Sequence, residues 1–182
     1  NDGSQNFTPQ TIATDAMQAI DVKALDMDGD GDMDVVSASF DDDTVAWYEN
    51  NGSESFTKRV ITNAADSVRG IDALDVDDDG DIDVLSASYS DNTVAWYENN
   101  GSQTFTKRTL STTSQGAMNV YGVDVDGDGN KDILATSVTD DTVAWFENDG
   151  SESFTRQVIT ASADYAYGVF AADVDGDGDA DI

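Results

Sequence analysis

The chain repeats itself every 49 residues from one end to the other. Asp26, Asp75, Asp124 and Asp173 stand at that spacing, and so do Trp47, Trp96 and Trp145. Phe7, Phe56, Phe105 and Phe154 follow the same period. The segment Thr44 to Asn50 returns as Thr93 to Asn99 and again as Thr142 to Asn148, with Phe146 in place of a tyrosine. A period of this length without insertions restricts the chain to architectures in which one supersecondary unit stacks on copies of itself.

Each unit reads as strands. In the second unit, Val68 to Leu74 is a short apolar-rich run that feeds an acidic loop, and Val84 to Tyr89 is β-rich and stops at the turn cluster Ser90-Asp91-Asn92. Thr93 to Glu98 is β-branched and aromatic, and Phe105 to Leu110 supplies a fourth strand. Asn100-Gly101 signals a two-residue hairpin of type I′, which needs positive φ at both central residues. No segment keeps a helical period. The expected fold is all-β: β-propeller blades of four antiparallel strands, about 3.7 repeats of 49 residues, with the acidic loop between the first and second strands. A β-solenoid or a string of small sandwiches is the alternative, but solenoid coils are usually shorter. The units span 15–63, 64–112 and 113–161, with 1–14 as the last strand of a blade and 162–182 as an incomplete fourth unit.

The acidic loops carry the chemistry. They are Asp26, Asp28, Asp30, Asp32 and Asp34; Asp75, Asp77, Asp79, Asp81 and Asp83; Asp124, Asp126, Asp128, Asn130 and Asp132; and Asp173, Asp175, Asp177, Asp179 and Asp181. Aspartate fills positions one, three, five and nine of every loop, and glycine fills position six. Alternate residues of a tight loop turn their oxygens inward, and the glycine lets the backbone reverse so that the seventh carbonyl can face in as well. Several hard oxygens at flexible distances suit Ca²⁺ better than Mg²⁺. An EF-hand shares the first six positions but needs a glutamate at position twelve, where this chain has Ser37, Ser86 and Ala135. The ninth-position aspartate must therefore close the cage, with strands on both sides. An acidic turn with no ion is the plainer alternative, but so many carboxylates in nine residues repel one another strongly. One Ca²⁺ per loop, four in all, is expected.

Composition removes other chemistries. Without cysteine there are no disulfides or thiolate metal sites, and without histidine there is no imidazole base or triad. A formal charge of −30 opposes binding to nucleic acid or an anionic membrane. The longest apolar run near the C-terminus, Tyr165 to Ala172, is too short to span a bilayer.

The Asp-x-Asp-x-Asp-Gly-x-x-Asp loop between two strands, in units of this length, resembles the FG-GAP/VCBS repeats of integrin-α-like β-propellers, and the resemblance covers the whole chain. It implies Ca²⁺ in each loop, on the residues just named, and an extracellular or cell-surface setting. Members occur as adhesins, as lectins and as modules of extracellular polysaccharide-active enzymes. The chain has Ser37-Ala38-Ser39-Phe40 where the family's Gly-Ala-Pro element would fall, which speaks against integrin-like ligand recognition.

Positions that differ between otherwise similar repeats are Ile20, Arg69, Met118 and Tyr167, and then Lys23, Asp72, Tyr121 and Phe170. Both sets precede the cation loop, on the strand that would be innermost, where they either make unit-specific contacts or merely fill an irregular channel. The tryptophans could stack on sugars, but a large aromatic in mid-strand usually fills a core. Catalysis is not expected: a pair such as Glu49 and Asp43 could be named as acid and base, yet such acidic repeats define no unique site. Two functions remain, a calcium-stabilised extracellular module binding a glycan or protein, or a structural, self-assembling element. By its register the chain is expected not to close a ring alone. Further chain or a second copy would complete it, and a monomeric four-bladed ring is the alternative.

Overall fold

The computed structural model describes residues 8–182. Twelve strands follow in order: β1 Ala19–Leu25, β2 Asp34–Ser39, β3 Thr44–Asn50, β4 Phe56–Thr62, β5 Val68–Leu74, β6 Asp83–Ser88, β7 Thr93–Asn99, β8 Phe105–Ser111, β9 Ala117–Val123, β10 Asp132–Ser137, β11 Thr142–Asn148 and β12 Phe154–Thr160. They form three four-stranded antiparallel meanders, β1 to β4, β5 to β8 and β9 to β12. There is no helix among the described residues. The sheets stay separate and are not joined into a barrel; the first packs on the second and the second on the third.

Strand order explains burial. The two middle strands of the first and second sheets and β10 of the third are almost wholly buried, β11 alternates buried and half-buried residues, and the last strand of each sheet is mostly open. That last strand carries Lys58, Arg59, Lys107, Arg108 and Arg156, charges that keep a sheet edge from pairing with another chain. The cores lie between sheets. Trp47, Val36 and Val45 of the first sheet pack with Ile71, Val84 and Tyr97 of the second. Leu85, Val94 and Trp96 of the second meet Val120, Ile133 and Phe146 of the third. Trp47 and Trp96 thus fill interfaces between sheets, as mid-strand aromatics should.

The first strand of each sheet is clipped by a side chain to a backbone N–H of the next first strand or, after β12, of the segment that follows it. Ile71 N–H donates to Asp21 Oδ2 (2.9 Å), Gly122 N–H to Asp72 Oδ2 (2.9 Å) and Val169 N–H to Asn119 Oδ1 (3.2 Å). Lys23 adds an ion pair to Asp72 at 3.2 Å.

Three local expectations need correction. The Asn100-Gly101 hairpin is not type I′. Asn99 pairs with Phe105, and Asn100 N–H donates to Thr104 C=O, so the connection is longer. Only Gly101 and Gln103 take positive φ, because Asn100 Oδ1 accepts Ser102 N–H (3.0 Å) in a local turn of its own. The strand expected over Phe7 to Ile12 begins outside the described residues, and Thr8 to Ile12 joins no sheet. The inner strand expected over Val169 to Ala172 is reduced among the described residues to one antiparallel bridge, Ala172 to Asp181.

Candidate metal centre

Each acidic loop folds on its own carboxylates. In the first, Asp26 accepts the N–H of Gly29 at Oδ1 (2.9 Å) and of Gly31 at Oδ2 (3.0 Å). Asp28 accepts Asp30 N–H (3.3 Å), and Asp30 accepts Asp32 N–H (2.8 Å). Such a spiral of short side chains bonding the backbone two or more residues on lets an irregular segment hold one shape. Position six bears out its glycine: Gly31, Gly80, Gly129 and Gly178 have φ between 95° and 99°, a region costly for any residue with a Cβ.

The ninth-position aspartate is the deepest part. Asp34, Asp83 and Asp132 have no exposed surface. Asp34 Oδ2 accepts Met27 N–H (3.1 Å) across the loop, and Oδ1 accepts Asn50 N–H (2.7 Å) from the end of β3. Asp83 does the same with Val76 and Asn99, and Asp132 with Val125 and Asn148. Those bonds fix the carboxylate plane and leave further lone pairs on both oxygens. The indoles of Trp96 and Trp145 lie beside Asp83 and Asp132, but their N–H groups are not aligned as hydrogen-bond donors.

Of the residues expected in the site, the fold gathers three per loop. Asp26, Asp28 and Asp34 bring carboxylate oxygens within 4.8 Å of one another, and so do Asp75, Asp77 and Asp83, then Asp124, Asp126 and Asp132, then Asp173, Asp175 and Asp181. The fifth-position residues Asp30, Asp79, Asp128 and Asp177 lie outside these groups, as do Asp32, Asp81, Asn130 and Asp179 at position seven. Position seven has another partner. A Cβ on Gly52 would sit 2.5 Å from Asp32 Oδ2, and one on Gly101 equally close to Asp81 Oδ2, so the hairpin glycine makes room for that side chain.

Asn50, Asn99 and Asn148 were not anticipated. Besides the N–H given to position nine, their amides donate to the carbonyls of Met33, Ile82 and Lys131 at 3.1 Å, tying the strand end to the loop. The signal was present: this asparagine closes the recurring Thr-Val-Ala-Trp segment in every unit.

The electrostatics are those of crowded acids. Burial raises the pKa of Asp28 and Asp77, with neighbouring carboxylates adding to the rise. Burial pushes Asp83 up to about 7 against its two N–H bonds, and raises Asp132 in the same way. In the second loop, Asp75 Oδ1 is buried and has no hydrogen-bond partner. Elsewhere that oxygen accepts the N–H of a glycine at position four, where the second loop has Asp78. Glu49 and Asp43 have separate structural work: Glu49 holds Arg59 (Nε–Oε2 2.6 Å), and Asp43 Oδ1 accepts Ser67 N–H (2.8 Å).

Tandem four-stranded sheets, each opening on the same acidic turn, define a repeat protein with one potential cation cage per unit. The chain belongs to the family described as FG-GAP-like repeat, whose model matches residues 26–86, 75–135 and 124–182. No curated protein matches in sequence. Among solved structures, the fold is similar to selenomethionine-substituted virginiamycin B lyase from Staphylococcus aureus, at TM-score 0.49 and 12% identity over 80% of this chain. The chain spans about half of that protein's length (47%). Among the described residues, no helix is long and apolar enough to cross a membrane.

Proposed function

We propose that the chain is a calcium-stabilised β-propeller module that works outside the cell as a non-catalytic binding or adhesion element. The observation that carries this is the recurrence of three converging carboxylates in each of four loops. The donor set fits Ca²⁺: all oxygens, at flexible spacing, with the buried and unpartnered Asp75 Oδ1 beside the buried Asp83. A bound Ca²⁺ would supply the positive charge that the loop lacks, held by Asp75, Asp77 and Asp83 and their counterparts. The first, third and ninth residues hold the ion, and the peptide N–H groups orient them. Sites of this kind in extracellular modules bind in the range of about 10⁻⁴–10⁻³ M, which matches calcium supply outside cells.

The test is thermal unfolding in calcium, in magnesium and in EDTA. Binding to the folded state alone raises stability by mass action. The melting temperature should fall with EDTA and return with Ca²⁺ but poorly with Mg²⁺. Superimposed curves with and without chelator would refute the metal reading. Glycan-array binding that disappears with EDTA would establish the ligand-binding part.

A specific observation favours a second reading, an assembly element. The side of the first sheet equivalent to the one that the second and third sheets use for packing leaves Val22 60% and Ile20 39% exposed. An apolar depression there is lined by Ile12, Val22, Val35 and Tyr48. Light scattering in calcium, showing oligomers that grow with concentration in the absence of any ligand, would favour this alternative.

A further inference from the structure

The two ends of the stacked sheets differ in kind. One carries the cation loops and the hairpins after β3, β7 and β11, which vary little between repeats. The other carries the starts of the inner strands and the turns after β2, β6 and β10, where the repeats diverge. There the equivalent positions Ile20, Arg69, Met118 and Tyr167 line one depression of about 260 Å³, joined by Asp21 and Asn119. The residues that set the repeats apart in sequence thus meet in space.

Arg69 is the one cation lining this depression. Its guanidinium lies over the rings of Phe40 (4.2 Å) and Tyr89 (5.4 Å). Its Nε is buried without a hydrogen-bond partner. Among the described residues neither Arg69 nor Arg156 forms an ion pair, whereas Arg59 and Arg108 are each held by a glutamate, and of the two unpaired arginines Arg69 alone lines this depression. An unpaired arginine is notable in a chain with 38 acidic and 8 basic side chains. Stacking occupies the faces of a guanidinium and leaves its in-plane N–H donors for a planar acceptor, which a carboxylate matches in bidentate geometry.

The remaining lining suits a ring with hydroxyls. Tyr167 is 64% exposed and offers an aromatic face, with Met118 and Ile20 beside it. Asp21 and Asn119 are held by the inter-sheet clips, so their polar groups are fixed in place. The volume lies just under the usual range for small-molecule pockets, about 300–1,000 Å³, and fits one ring rather than a chain of rings. The −30 charge repels a polyanion more than a single carboxylate, and the one carboxylate in the lining, Asp21, has both oxygens engaged by backbone N–H groups, Oδ1 by Val22 and Oδ2 by Ile71.

We propose that this depression binds a sugar ring bearing one carboxylate. Arg69 pairs with the carboxylate, Tyr167 lies against the C–H face of the ring, and Asp21 and Asn119 meet its hydroxyls. This rests on the binding-module reading and locates that module's ligand site, at the end away from the cation loops.

The experiment is an NMR titration of the calcium-loaded chain with methyl β-glucuronide, methyl β-glucoside, acetate and a capped Gly-Asp-Gly peptide. The glucuronide should shift resonances around Arg69 and Tyr167 saturably, and bind at least about tenfold more tightly than the glucoside or acetate, the scale of one charge-assisted pair. Arg69→Met, which keeps the apolar contact with Phe40 and Tyr89, should lose that advantage, and Arg69→Lys should recover only part of it. If Arg69→Met fails to fold, Tyr167→Ala at an exposed position should weaken the glucuronide several-fold. Equal binding of glucuronide and glucoside, or of glucuronide and acetate, would overturn the proposal, as would tighter binding of the peptide. Calcium-dependent melting of the same samples reads the module separately. A chain that melts in a calcium-dependent way but ignores the glucuronide loses this site and keeps the broader reading.

Discussion

Substituting Asp83 by asparagine should stabilise the ion-free chain at neutral pH and destabilise the calcium-loaded one. The Asp83 carboxyl has no exposed surface, and burial pushes its pKa up to about 7 from the ordinary 3.8. With the folded value above the unfolded one, the folded state holds more protons between the two, so stability is full below the unfolded pKa and is lost as pH rises through the folded one. A difference of about three units corresponds to roughly 4 kcal/mol as an upper bound. Asparagine cannot ionise and escapes that loss. It keeps one acceptor oxygen for the N–H groups of Val76 and Asn99 and forfeits the other, at a cost of about 1–3 kcal/mol. In EDTA at about pH 8, the variant should therefore be more stable than the wild type by up to about 1–3 kcal/mol, and at about pH 4 it should be the less stable of the two. Calcium at neutral pH should reverse the order, because the ion takes the place of the proton in the wild type and loses a ligand in the variant. Urea unfolding followed by tryptophan fluorescence over a pH series, with and without calcium, reads all three. The general self-repulsion of a chain at −30 weakens both proteins alike, so the difference between them is the observable. If the two stabilities run parallel from acid to neutral pH in EDTA, the reasoning about Asp83 is wrong.

Gly70→Ala should cost about 1–3 kcal/mol in urea unfolding, because its Cβ would lie 2.7 Å from the carbonyl oxygen of Met118 and 2.8 Å from Asn119 Cα, both backbone atoms of the next sheet. Gly122→Ala should also destabilise, since the new methyl group would lie 2.6 Å from Leu74 Cδ2 and closer still to Cδ1, on a side chain packed against the second core cluster, but its obstacle is a side chain and not backbone. Asp75→Ala should remove one calcium ion from the stoichiometry measured by calorimetry and leave the others, because each cluster is drawn from a single loop; loss of every ion from a chain that still unfolds cooperatively would contradict independent cages.

What the sequence made legible was local. Val68 to Leu74 matches β5, the turn at Ser90-Asp91-Asn92 separates β6 from β7, and the glycine at position six has the positive φ that its place in the loop demands. These depend on contacts within a few residues, and pattern reading captures them. The hairpin at Asn100-Gly101 was misread because an asparagine side chain competed with the turn type that the dipeptide suggests. The three converging carboxylates could not be separated from the two outlying ones, since alternate positions look alike until the ninth residue is bonded to Asn50 or its counterparts. Packing between sheets, the expected place of the tryptophans, holds for Trp47 and Trp96, whereas the equivalent Trp145 of the third sheet is half-buried and belongs to neither core cluster, a difference set by stacking that no single repeat encodes.

The inter-sheet clips show how near-identical repeats can diverge without losing contact. In the first and third repeats the clip is Asp21 and Asn119, which share one register position. The second repeat has Gly70 at that position, where a Cβ would strike the backbone of the third sheet. Its clip comes instead from Asp72, two residues further on, which accepts the N–H of Gly122 at the same 2.9 Å distance as the first clip. Asp72 also holds Lys23 of the preceding sheet, so one carboxylate joins three inner strands. Gly122 matches this arrangement, because its missing side chain makes room for Leu74 on the strand that carries Asp72. Closer approach, the shifted clip and the second glycine are therefore one change spread over two sheets. Asp72→Ala should weaken both interfaces of the second sheet, whereas Asp21→Ala should weaken only the first, and hydrogen exchange at Ile71 and Gly122 would separate the two effects.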